Sequence, residues 1–204
     1  MVCGEARATR RRSEQVTVFC FDAWNHSVTW GLAPSLPDQI RGAAAAGYDY
    51  VGLDIPTLRA HEEIGFHPSG LAELLRESGI GCFELVPLSI TDDRGSTRQA
   101  LAEVTYFAPR VGARTILAVA RGPLTTALVD SARTCTETLG EIGVSLAVEF
   151  LPGIELNSID SVRRLADALS MPTLRVMVDS WHFFVGPSTW ESLCKRNSER
   201  GGPL

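Results

Sequence analysis

The sequence predicts an α/β fold in which about six strand–helix units build a parallel TIM-type (β/α) barrel that is incomplete. Three observations lead there. Apolar, β-rich runs recur at intervals of about 30 residues, the length of one βαβ unit. Segments with helical spacing fill the gaps between them. Several runs end in an acid, always on the same parity of the strand.

The elements follow in order. Val16–Phe21 reads as the first strand, and Asp38–Ala46 as the helix after it. Tyr50–Ile55 is the second strand and Pro68–Ser78 the next helix. Gly81–Leu85, Ser96–Arg110, Thr115–Val119 and Pro123–Ile142 continue the alternation. Val144–Phe150 is the fifth strand. Ile159, Val162, Leu165, Ala166 and Leu169 then mark one helix face, with Ser158 as its cap. Leu174–Asp179 is the sixth strand. Gly47, Gly79, Gly112 and Gly143 stand at the helix-to-strand joints, where a helix stops in the left-handed conformation.

Strict alternation of strand and helix predicts a parallel sheet covered by helices. Right-handed crossovers suit either a barrel or a doubly wound sheet. The fifth strand separates the two by its parities. Val144, Leu146, Val148 and Phe150 suit contact with helices. Ser145, Ala147 and Glu149 suit a crowded barrel interior with a polar mouth. Asp54 and Asp179 close their strands on the corresponding parity. The doubly wound alternative stays open, although no GxGxxG follows the first strand and no Walker motif occurs.

Composition bounds the function. The chain has 204 residues, 45% hydrophobic and 21% charged, enough for one domain with a sizeable core. A net charge of -5 argues against nucleic acid as the main partner. No apolar run reaches the roughly 20 residues that span a bilayer, so no membrane partner is expected. Residues 1–15, with Arg7, Arg10, Arg11 and Arg12, read as a disordered tail. The five cysteines form no CxxC pair and fit neither a disulfide framework nor a zinc site. Buried thiols in a reducing cytoplasm are expected.

The chemistry concentrates between Val144 and Trp190. Glu149 ends one strand in AVEFLP, and Asp179 ends the next in VDSWHFF. Two acids on adjacent strand tips can share a divalent cation. Glu155 and His182, in the following loops, can hydrogen-bond a hydroxylated substrate. Asp54 and Glu84 are lesser candidates, since strand acids often cap helices. His26, Trp24 and Trp30 lie after the first strand, where packing accounts for them.

These motifs resemble the xylose isomerase-like barrel superfamily, over residues 16–190. The later motifs carry the resemblance, and AAAAGYDYVGLDIP adds a weaker match at the second strand. The resemblance implies that Glu149 and Asp179 bind a divalent metal ion (Mn, Mg, Co or Zn). It implies that Glu149 is also the catalytic base, and that Glu155 and His182 contact substrate. The implied activity is isomerisation or epimerisation of a small sugar or sugar phosphate through an enediolate. A related dehydratase is one alternative, and a catalytically inactive barrel fragment is another.

The superfamily places two further ligands, a His and a Glu, on its seventh and eighth strands. Here the sequence turns polar after Trp190, without a strand signal. Residues 191–204 are therefore expected to form an irregular tail on a truncated barrel. The open edges of a six-strand sheet favour pairing into a homo-oligomer.

Overall fold

The structure is a computed structural model that describes residues 17–171 and 174–194. The expected tail at 1–15 and the segment 195–204 lie outside the described residues. Strands β1 (Cys20–Asp22), β2 (Tyr50–Asp54), β3 (Gly81–Ile90), β4 (Thr115–Ala120), β5 (Ser145–Glu149) and β6 (Leu174–Met177) form one sheet in sequence order. Every neighbouring pair is parallel. Helices α1 (Leu36–Ala45), α2 (Ile55–Glu63), α3 (Pro68–Ser78), α4 (Arg94–Val111), α5 (Thr126–Glu141), α6 (Ile159–Leu169), α7 (Ser180–Val185) and α8 (Trp190–Cys194) connect or follow them.

Parity governs the packing. Val51, Leu53, Ile116, Ala118, Leu146, Val148 and Phe150 are buried in the core with the inner faces of the helices. The α6 face is the one that 3-and-4 spacing predicts: Ile159, Val162, Leu165 and Leu169 are buried and Ala166 packs against them. Ser158 caps that helix, accepting from Ser161 N at 3.2 Å, while Ser161 Oγ accepts from Ser158 N. Gly47, Gly79, Gly112 and Gly143 all have positive φ, between 68° and 82°. A side chain at these joints would strain the turn that returns the chain to the sheet.

Some elements differ from expectation. β3 runs on to Ile90, past Pro87. A bulge absorbs the proline: Leu85 pairs with Ile116 and Leu88 with Ala118, so β3 holds one residue more than β4 there. α2 starts directly after β2, because Asp54 caps it and Pro56 fits its first turn. The irregular tail expected from residue 191 is corrected for its first residues, which form α8. Thr189 and Ser192 exchange side chain-to-backbone hydrogen bonds of 3.0 and 3.1 Å, and this reciprocal cap sustains the turn.

Of Cys20 and Cys82, the thiols in apolar runs that were expected to be buried, Cys82 is buried and Cys20 only half-buried; Cys135 is buried as well, and Cys194 is exposed. Burial pushes the Cys135 thiol up to about 12, which keeps it protonated and inert. No helix among the described residues is long and apolar enough to cross a membrane.

Candidate metal centre

The last residue of β5 is Glu149, and Asp179 follows β6 by two residues. Asp179 is the N-cap of α7, its Oδ1 accepting from His182 N at 2.8 Å. That cap fixes the first turn of α7 and directs the His182 ring back toward β5. Its Nδ1 lies 3.0 Å from Glu149 Oε1 and 3.9 Å from Asp179 Oδ1. One donor atom from each of Glu149, Asp179 and His182 lies within 4.8 Å of the other two.

Electrostatics fit a cation. Burial pushes the Glu149 carboxyl up, opposed by the His182 imidazole beside it and reinforced by Asp179. His182 Nδ1 is buried and makes no aligned hydrogen bond despite its short approach to Glu149. An imidazole nitrogen left in this state beside two carboxylates is a donor that a divalent ion can use. Two oxygens and one nitrogen suit Mn²⁺, Co²⁺ or Zn²⁺, and Mg²⁺ less well.

The structure thus brings Glu149, Asp179 and His182 together. It brings His182, expected to contact substrate, close enough to both carboxylates to share an ion with them. Glu155 does not join them. It is exposed in the loop between β5 and α6, and no hydrogen bond or ion pair holds it among the described residues.

Two further acids face the same interior. Asp22 pairs in register with Gly52, and Gly52 with Glu84, so all three share one face of the sheet. A Cβ at Gly52 would stand 3.1 Å from Glu84 Oε1 and 3.4 Å from Asp22 Oδ1. The glycine leaves the room in which the two carboxyl groups converge. Burial, with the charges of Asp22 and Glu149, pushes Glu84 up to about 7. Burial also raises Asp22, although it accepts from Trp24 N at 2.9 Å. Asp22 ends β1 as Glu149 ends β5, and that position was its signal in the sequence. Asp54 is instead a structural cap. It is fully buried, and its Oδ1 accepts from Ser27 Oγ at 2.7 Å and from Thr57 N at 2.9 Å.

No family model matches the chain, and no curated protein does. Solved structures do. The IolI protein with a bound zinc atom superposes with a TM-score of 0.71 at 18% identity, over 88% of this chain and 69% of its own. The chain shares the parallel strand–helix fold of part of the xylose isomerase-like barrels. The probable 3-DHS dehydratase AsbF of petrobactin synthesis, from Bacillus anthracis, gives 0.67 at 14% identity, over 86% and 65%. A D-psicose 3-epimerase, solved in the presence of D-fructose, gives 0.63 at 16%, over 83% and 67%. This barrel chain therefore spans 65 to 69% of the length of these three proteins. At such identities the likeness is one of fold.

Proposed function

We propose that the chain is the metal-binding part of an isomerase or epimerase acting on a small sugar or sugar phosphate. The observation that carries this reading is the convergence of Glu149, Asp179 and His182 donor atoms within 4.8 Å at the tips of β5 and β6. In barrels of this kind the strand tips are where active sites are built. The IolI neighbour with its zinc atom and the D-psicose 3-epimerase neighbour support the same chemistry.

A bound divalent ion supplies Lewis acidity to adjacent carbonyl and hydroxyl oxygens. The protein's part is proton handling. Glu149, raised by burial and lowered by His182, sits where a carboxylate could take a proton from a substrate carbon. His182 Nδ1 stands 3.0 Å from that carboxylate on one side. Glu84, which titrates near neutral pH, lies on the same barrel interior as a second proton-holding group. Glu155, free in its loop, is available to a substrate hydroxyl.

The dehydratase reading has its own support in the AsbF neighbour. Proton removal at carbon is common to both, and the fate of the β-hydroxyl separates them. The test is product analysis on ketoses, ketose phosphates and 3-dehydroshikimate with Mn²⁺, Co²⁺ or Zn²⁺ supplied, beside a titration of each ion onto the chain. Saturable one-to-one binding that Glu149→Gln weakens is the expected result. Binding that ignores Glu149, or none below millimolar ion, rejects the reading. Solvent deuterium entering a sugar carbon marks the isomerase or epimerase, and loss of water marks the dehydratase.

A further inference from the structure

A cleft of about 220 Å³ opens between α4 and α5, on the outer helical layer and away from the tips of β5 and β6. Arg94, Arg98 and Arg133 line it against a single acid, Asp130. The chain as a whole carries a net charge of -5, so this is a local reversal of sign. We propose that the cleft binds a phosphate-type oxyanion.

The three arginines are differently committed. Arg94 Nη2 is held by Asp130 Oδ2 at 2.6 Å. Arg133 spends its donors on the carbonyls of Leu169 and Ala168, at 2.9 and 3.3 Å, which end α6. It lines the cleft with its guanidinium committed to the end of α6. Arg98 is exposed and has no hydrogen bond or ion pair among the described residues, so its whole donor fork is free. A guanidinium fork matches two oxygens of a tetrahedral anion at once.

Ser131 supplies the second, independent observation. It is 4% exposed, it lines the cleft, and its Oγ has no hydrogen-bond partner. A hydroxyl inside a helix ordinarily donates to the carbonyl four residues earlier. In α5 itself Thr134 donates to Asp130 O at 3.0 Å, and Thr136 to Ala132 O at 2.8 Å. Ser131 does not take that option. A buried hydroxyl without a partner is costly, and a small opening of the cleft wall would let an anion oxygen satisfy it. Asp130 opposes the anion, and its pairing with Arg94 contains that repulsion.

The ligand is either free phosphate or the phosphoryl group of a small metabolite, and the experiment separates them. The melting temperature of the full chain is followed against inorganic phosphate and against glycerol 3-phosphate, with chloride holding ionic strength constant. The proposal expects a saturable rise with at least one of them. The lower half-saturation identifies the source. Arg98→Gln, a surface change, is expected to raise the half-saturation about tenfold, the loss of one charge-assisted bond. Ser131→Ala is expected to melt higher than the parent without anion, because it removes an unpartnered hydroxyl and favours helix, yet to gain less from phosphate. A rise that never saturates, or a saturable one that Arg98→Gln leaves unchanged, overturns the proposal.

Discussion

The backbone of Gly52 is the floor beneath the Glu84 carboxylate: a Cβ there would come within 3.1 Å of both Cγ and Oε1 of Glu84. Gly52 has an ordinary negative φ, so the requirement is for space and not for backbone freedom. Gly52→Ala is expected to destabilise the chain by about 1–2 kcal/mol through overpacking. Adding Glu84→Ala should recover most of that loss, because the clash goes with the side chain. A double-mutant cycle in urea checks it, and strict additivity of the two changes would contradict the geometry.

Glu84 also sets a pH dependence. Its carboxyl keeps its proton up to about 7 in the folded chain, against an ordinary value of 4.5. Between those values the folded state binds more protons than the unfolded one, so stability falls as pH rises through the window and levels off above it. Asp22 and Glu149 are shifted in the same direction, so their contributions have the same sign. Glu84→Gln should flatten the curve between pH 5 and 8, measured by urea unfolding in the presence of a chelator. Parallel curves for parent and variant would show that Glu84 ionises without cost.

His182 can be assigned by separating affinity from turnover. If its Nδ1 is a ligand, His182→Ala should weaken Mn²⁺ binding by at least about tenfold, since even outer partners of a metal site are worth that much. If the imidazole serves substrate alone, ion affinity stays and only the response to sugar changes. Calorimetric titration of the ion, with no sugar present, distinguishes the two.

Asp54 should behave as a structural residue. Asp54→Ala removes the cap of α2 and leaves the Ser27 hydroxyl buried without its acceptor. The expected cost is about 3 kcal/mol, read as a lower urea midpoint at unchanged slope. Ion binding at Glu149 should survive under native conditions.

The fold was legible because its signals are local and repeated. Ser158 and the spacing from Ile159 to Leu169 specify α6 with no help from the rest of the chain. Glu149 and Asp179 were legible as strand-end acids, yet their meeting with His182 depends on α7. The DSWHFF segment reads as a loop in sequence, since six residues carry too little periodicity, and only the Asp179 cap closes it into a turn of helix. Glu84 was legible only as one strand acid among several, a lesser candidate beside Glu149 and Asp179. Its proton affinity comes from neighbours on other strands and from the absent side chain of Gly52, which no single-strand pattern contains. The third strand was legible only as Gly81–Leu85, whereas pairing continues past Pro87 to Ile90. The bulge that tolerates the proline is a property of two strands together.

Among the described residues β6 has a hydrogen-bonded neighbour on one side only, and Val178, Trp181, Phe184, Val185 and Trp190 stand exposed just beyond it. The carboxylates of Glu149 and Asp179 lie beside that flank. Whatever polypeptide or solvent rests against β6 therefore sets how wet the donor atoms of Glu149, Asp179 and His182 are. The attraction between an ion and its ligands changes several-fold between wet and dry surroundings. Any contact made along this flank would adjust how strongly these groups could hold an ion without touching one of them.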